Sequence, residues 1–259
     1  YEIASCLVGS EMCIRDSSEA TIERTIKSIL AQNYDNYEYI IVDGGSTDST
    51  LDIVKKYEPM FCGKMRWKSE PDKGLYDAFN KGIEQSNGLY CWNVNSDDYI
   101  EPDALRKLSL IIDNFDIKCL PVISGISRIV TKEGKVVKLE KHSKQNAAFC
   151  YKTNGMGVTH PATLVPKTVY DKFGTYDIRF KISADIDWFN RIYRNHVDIF
   201  FLNEILTNMQ DDGVSNRFDY IKNAKDRILL LKKKYSNRFT RVYFFCRWTV
   251  NYLRTNLKK

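Results

Sequence analysis

Between residues 18 and 206 the chain alternates β-rich apolar runs with helix-spaced apolar positions, and two of those runs break off at aspartates. Tyr39-Ile40-Ile41-Val42 ends at Asp43-Gly44-Gly45-Ser46, and Tyr90 to Val94 runs into Asn95-Ser96-Asp97-Asp98. The intervening spacing predicts helices. Ser18 is placed as the N-cap of a helix carrying Ile22, Ile26, Ile29 and Leu30, and further helices run from about Ser49 to Tyr57 and over Gly74 to Gln85. Pro102 is taken as the first-turn residue of a helix whose Leu105, Leu108, Ile111 and Ile112 face inward. Such strand–helix–strand repetition folds as α/β, with a mostly parallel central sheet and helices on both faces. Ligands bind such sheets beyond the carboxyl ends of the strands, where Asp43 and the Asp97-Asp98 pair both fall.

Met65 to Ser69 reads as a short strand, and Ile123 to Leu139 as a hairpin around Lys132-Glu133-Gly134. Ala162 to Val165 is a strand, Lys167 to Phe173 and Asp185 to Arg194 are helices, and Ile199 to Leu202 closes the sheet. No internal repeat or low-complexity linker interrupts the pattern, so one domain with a tail is expected.

The charge is uneven. The chain of 259 residues carries a net +6, yet from Asp219 onward there are 12 Lys/Arg against 2 Asp/Glu, leaving the rest mildly acidic. That distribution argues against nucleic acid as a partner and for a local electrostatic attachment. The 7 cysteines are scattered with no C-x-x-C pair, which suits packed free thiols in a reducing cytosol. No apolar run reaches the roughly 18–20 residues of a membrane span, and Glu2, Glu11 and Arg15 break any signal-peptide core. The absence of H-E-x-x-H excludes a zinc hydrolase of that type.

Three segments could carry chemistry. Asp97-Asp98 could present one carboxylate to a ribose and the other to an oxygen-seeking cation, or could be a polar turn with Asp98 capping the next helix. Asp43-Gly44-Gly45-Ser46-Thr47-Asp48 lets the backbone approach a ligand, or is an ordinary strand-to-helix turn; it is not the G-x-G-x-x-G of a dinucleotide site. Asp72-Lys73-Gly74 opens a helix where backbone amides face anions, or simply caps it.

Taken together, these segments resemble family 2 glycosyltransferases. Ile41 to Thr50 resembles the family's nucleotide-binding motif, Glu70-Pro71-Asp72-Lys73-Gly74-Leu75-Tyr76-Asp77-Ala78-Phe79-Asn80-Lys81-Gly82 its second segment, and Asn95-Ser96-Asp97-Asp98 its D-x-D-type metal motif. Ser183-Ala184-Asp185-Ile186-Asp187-Trp188 resembles the acceptor-side motif, and the subgroup most similar is that of the WfgS-like enzymes of bacterial O-antigen and capsule assembly. The resemblance covers roughly Ser18 to Ser215. It implies a GT-A (nucleotide-diphospho-sugar transferase) fold and inverting transfer of a hexose or N-acetylhexosamine from a nucleotide-sugar donor, a UDP-sugar, to a lipid-linked saccharide. It further implies Asp43 with Gly44 on the uracil side, Asp97 at the ribose, Asp98 on a Mg²⁺ or Mn²⁺ ion, and Asp72 with Gly74 shaping the same pocket. Asp185 would be the catalytic base. His160 and Asp187 would lie toward the acceptor, although Asp185 and Asp187 stand about 200° apart on an ideal helix and cannot share one role. Asp211-Asp212-Gly213-Val214-Ser215 resembles the glycine-bearing loop after the last core strand.

Two ends depart from this frame. Ser5 to Ser17 resembles a translated sequencing adaptor, so residues 1–17 are treated as an atypical, candidate non-native segment holding no binding residue. The remainder divides into a transferase domain over 18–215 and a basic, aromatic-rich helical tail over 216–259. The tail interleaves Tyr243, Phe244, Phe245, Trp248 and Tyr252 with Arg238, Arg241, Arg247 and Arg254. That composition suits a membrane interface, hence a cytoplasmic protein peripherally attached to the inner face of the membrane. A helix packed on the domain, or stacking on RNA, are the other readings of the tail. The rival functions are a nucleotidyltransferase and a non-catalytic nucleotide-sugar or membrane-binding protein.

Overall fold

A computed structural model describes residues 3–5, 18–152, 155–211, 220–234 and 238–256. Its strands are β1 (Ile3–Ser5), β2 (Tyr37–Asp43), β3 (Met65–Ser69), β4 (Tyr90–Trp92), β5 (Tyr99–Ile100), β6 (Val122–Val130), β7 (Val136–Glu140), β8 (Thr163–Pro166) and β9 (Ile199–Gln210). Its helices are α1 (Ile22–Leu30), α2 (Thr50–Tyr57), α3 (Leu75–Gln85), α4 (Ala104–Ile112), α5 (Lys144–Lys152), α6 (Lys167–Phe173), α7 (Ala184–Arg194), α8 (Tyr220–Lys234) and α9 (Arg238–Asn256).

Strand β2 explains the layering. Its side chains alternate between two cores: Tyr37, Tyr39 and Ile41 pack with α1, α2 and α4, whereas Ile40 and Val42 pack with α3, α6 and α7. A strand buried on both faces reads as a continuous apolar run, as β2 does. The sheet order is β3-β2-β1-β4-β8-β6-β9-β5, with β7 added to β6. The strands β3, β2, β1 and β4 are mutually parallel, as the crossovers require. Beyond β4 the sheet is mixed: β8 runs antiparallel to both β4 and β6, β6 is parallel to β9, and β5 is antiparallel to β9. The sheet is therefore parallel in the half that carries the aspartate-tipped strands.

Several boundaries differ from expectation. Ser18–Ala20 form a 3-10 turn, and Thr21 occupies the N-cap of α1 without a side-chain cap bond. Helix α4 starts at Ala104 because Asp103 is left-handed at φ 58°, so Pro102 lies outside it. Strand β9 continues to Gln210, held by β6 along its length and by β5 near its end. Helix α5 and strand β5 went unpredicted; α5 buries only Ala147 and Tyr151, too few positions to show a period.

β1 lies in the middle of the sheet, paired to β2 and β4. Residues 6–17, the 215/216 boundary and the Asp212-Gly213-Val214-Ser215 loop lie outside the described residues. Of the tail, α8 packs on the body through Leu230, which joins the α3/α6/α7 core, while α9 packs against α8. Among the described residues no helix is long and apolar enough to cross a membrane.

Candidate active site

The turn after β2 is organised by Asp43. Its Oδ2 accepts hydrogen bonds from the Gly45 and Ser46 amides, both at 3.0 Å, and from the Ser69 hydroxyl at 2.6 Å; its Oδ1 accepts the Ser46 hydroxyl. Gly45 sits at φ 96°, a conformation that disfavours a side chain. Asp43 is 1% exposed, so the function visible in its contacts is to fold the turn through Gly44 and tie it to β3.

The next segment begins at Asp72, whose Oδ1 accepts the Gly74 amide at 2.8 Å. Gly74, at φ 122°, reverses the chain into α3. The other Asp72 oxygen is buried without a hydrogen-bond partner, and burial raises this carboxyl above the ordinary aspartate range. A buried acceptor left unpaired costs about 1–3 kcal/mol.

At the tip of β4 the two adjacent carboxylates part. Asp98 is 1% exposed; its Oδ1 accepts the Gln210 amide at 3.2 Å and its Oδ2 the Asn95 side-chain amide at 3.0 Å. Burial, and then the neighbouring Asp97, push the Asp98 carboxyl well above the usual range. Helix α1 grips the same turn from below: the Thr25 hydroxyl reaches the Ser96 and Asp98 carbonyls, and Arg24 donates to the Asp97 carbonyl and to Gln210 Oε1. Asp97 is half-buried. Asp98 ties the turn after β4 to β9, and the more accessible carboxylate is Asp97. Among the described residues no three His, Cys, Asp or Glu side chains form a metal cage. A cation shared with a diphosphate needs only one or two protein carboxylates, the rest of its shell being phosphate and water. Asp97 fits that requirement and the inward-facing Asp98 does not.

Asp185 lies in the first turn of α7. Its Oδ1 accepts the Ile186 amide at 2.7 Å and stands 3.1 Å from the Tyr76 hydroxyl, which is also 2.5 Å from the Ile182 carbonyl. Its Oδ2 is 3.7 Å from His160 Nδ1. Burial raises the Asp185 carboxyl to about 6. His160 packs edge-on against Phe79 and Phe189, and burial lowers it to about 4, so it is neutral at pH 7. His160 Nε2 is 3.0 Å from the Tyr176 hydroxyl, which receives the Asn93 amide at 3.2 Å. Hydrogen bonds thus link Asn93, Tyr176 and His160, and His160 faces the partly buried Asp185 at 3.7 Å, so polar groups run from the β4 tip to α7. Tyr76, one turn after Asp72, joins the second segment to the same carboxylate.

Asp187 points elsewhere, as the helical angle requires. It is ion-paired with Lys233 at 2.7 Å and Arg191 at 3.5 Å and is 8% exposed. That pairing makes it a link to the tail. Sequence reasoning missed Tyr76, Tyr176, Asn93, Arg24 and Gln210. Tyr76 lies inside a quoted motif and was there to be noticed; the others meet the site only through contacts distant in sequence.

The chain matches the family described as Glycosyl transferase family 2 over residues 12–174. A PGL/p-HBAD biosynthesis glycosyltransferase of Mycobacterium bovis is 26% identical over 182 residues, covering 68% of this chain and 66% of the relative. An uncharacterized glycosyltransferase of Mycobacterium tuberculosis is 30% identical over 179 residues, covering 66% of this chain and 63% of the relative. The chain's match therefore spans just under two thirds of those relatives' length. Among solved structures, S. aureus TarS 1-349 in complex with UDP-GlcNAc superposes with a TM-score of 0.69 at 17% identity, covering 98% of this chain and 73% of that one. The mannosyltransferase PcManGT of Pyrobaculum calidifontis, solved with GDP-Man and Mn²⁺, gives 0.64 at 11% identity, covering 90% and 64%. Those likenesses establish the GT-A fold. With the aspartate-tipped strands of that fold and a family match over most of its length, the chain belongs to glycosyltransferase family 2.

Proposed function

We propose that the protein transfers a hexose or N-acetylhexosamine from a UDP-sugar to a saccharide on a lipid carrier, inverting the anomeric centre, in bacterial surface-polysaccharide assembly of the O-antigen or capsule type. The observation that carries the reading is Asp185: a partly buried carboxyl raised to about 6, bonded to Tyr76 of the Asp72 segment and facing His160, which meets Tyr176 near the β4 tip. A base of that strength is ionised at pH 7 yet holds a proton better than an ordinary aspartate. The lone acceptor on Asp72 is what a uracil N–H or ribose hydroxyl would satisfy. The TarS structure with UDP-GlcNAc supports a uridine donor.

In this mechanism the ionised Asp185 takes the proton of the acceptor hydroxyl while its oxygen attacks the anomeric carbon. The bond to the diphosphate oxygen breaks, and its electron pair leaves with UDP. Asp97, rather than Asp98, would hold a Mg²⁺ or Mn²⁺ ion, which would supply positive charge toward the leaving diphosphate. His160, kept neutral, stands 3.7 Å from the second oxygen of Asp185 and adds no competing charge. The exposed Phe239 and Tyr243 of α9, beside Arg238 and Arg247, support a peripheral attachment to the cytoplasmic face of the membrane.

The test is a panel of nucleotide sugars screened for Mn²⁺-dependent donor hydrolysis and transfer, with UDP affinity measured by calorimetry. Asp185→Asn should lower kcat about 10²–10⁴-fold and leave UDP affinity unchanged. Asp97→Asn should abolish the response to Mn²⁺, whereas Asp98→Asn should mainly lower the melting temperature. Unchanged turnover in Asp185→Asn removes the base. A parent protein that binds UDP without turning over any donor supports the non-catalytic rival.

A further inference from the structure

The tail read from sequence as an attachment device also reaches the base. On α8, Asp226, Leu230 and Lys233 stand at i, i+4 and i+7, one face over two turns. Leu230 is buried in the α3/α6/α7 core, and the other two flank it as charged contacts to one segment, residues 177–187. Asp226 is 2% exposed and its carboxylate accepts three successive backbone amides: Lys181 at 3.0 Å, Ile182 at 2.7 Å and Ser183 at 2.9 Å. These amides lead directly into α7. Ser183, at the N-cap of α7, makes no side-chain cap bond, so the charge that a helix start attracts is supplied by a carboxylate from 43 residues away. Lys233 bridges Asp177 at 2.8 Å and Asp187 at 2.7 Å and lies 4.9 Å over the Phe180 ring. The same turn is held on its other side by the Tyr76 hydroxyl at the Ile182 carbonyl.

We propose that α8 is a clamp on the base-bearing turn, with Asp226 and Lys233 as positioning residues that fix where Asp185 presents its carboxylate. The inference rests on Asp185 being the base. Asp226 touches neither donor nor acceptor; it acts through the 181–183 amides. It also faces Asp185 as a like charge, together with Tyr76 from α3, His160 from the turn before β8 and Tyr176 from the segment before α7. Removing its charge while keeping its shape, as Asp226→Asn does, should therefore ease ionisation of the base.

The experiment uses the full chain with Asp226→Asn, Asp226→Ala, Asp226→Glu and Lys233→Met, read by three measurements. Amide hydrogen exchange over 177–187 should quicken in Asp226→Ala while the β2 and β4 amides keep their protection. With UDP-GlcNAc and Mn²⁺, or whichever UDP-sugar the parent hydrolyses, kcat should fall about 10- to 100-fold at unchanged UDP affinity, with partial rescue by Asp226→Glu. The acid limb of the pH profile should move to lower pH in Asp226→Asn. Unchanged exchange over 177–187 overturns the clamp whatever the activity does. Faster exchange with kcat within twofold of the parent overturns the positioning role. If Asp226→Ala fails to fold, Lys233→Met carries the same exchange and kcat comparison. Failure of the base assignment is visible separately, as full turnover in Asp185→Asn.

Discussion

Asp185 can accept a proton from an alcohol only when ionised, and burial has brought its carboxyl to about 6. Below that pH the ionised fraction drops tenfold per unit; above it the fraction saturates. His160, lowered to about 4, stays neutral through the same interval and adds no limb of its own there. kcat/KM should therefore climb from pH 5 and level off above pH 7, with a single acid limb near 6, measured in a constant-ionic-strength buffer series. A limb near 4, or none, removes Asp185 from the rate. At this scale Asp43, Asp72, Asp97 and Asp185 were legible because each is an acid at a strand tip or helix start. The inward turn of Asp98 was not. Which of two neighbouring carboxylates faces in is decided by Gln210, 112 residues away, a partner no local pattern names.

Among the elements, those with a strong period were readable in advance: β2, β3, α3, α6 and α7 lie within a residue or two of expectation. The misreadings fall where tertiary pairing overrides local preference. β9 runs on past the polar pair Asn203-Glu204, bulging there before it rejoins β6 at Ile205. That pairing is close at Gly125, where an added Cβ would lie 2.5 Å from Leu206 Cδ1 and 3.1 Å from the Glu204 carbonyl. Gly125→Ala should cost about 1–3 kcal/mol. At about 2–4 °C per kcal/mol for a chain of this size, calorimetry should show a melting temperature lower by several degrees. An unchanged melting point would mean that the β6–β9 seam is looser than this packing implies.

For the whole molecule, the sequence separated a body from a basic tail, while the structure splits that tail by role: α8 is docked, and α9 carries an apolar stripe in solvent. Phe239, Val242, Tyr243, Cys246 and Val250 are all exposed and follow helical spacing, Phe239 at 86%. Arginines 238 and 247 are exposed beside them. If this stripe lies on lipid, the full chain should sediment with vesicles containing anionic phospholipid, less so as salt rises. Phe239→Asp with Tyr243→Asp should weaken that binding about tenfold or more. Binding indifferent to the double substitution would separate α9 from any bilayer.

Strand β9 has 12 residues, but its ends pair with Val122 and Val130, so its bulges shorten it to the length of β6, about 30 Å at some 3.3 Å per residue, from the region of Phe115 and Phe200 to the turn that Asp98 closes. It works as a strut of set length. One residue inserted after the last bulge, between Thr207 and Gln210, would turn each following side chain to the opposite face and carry the Gln210 amide away from its carboxylate. The donor turn would then lose its brace while both cores stayed filled, leaving a chain able to fold but poorly able to keep its catalytic rim in shape.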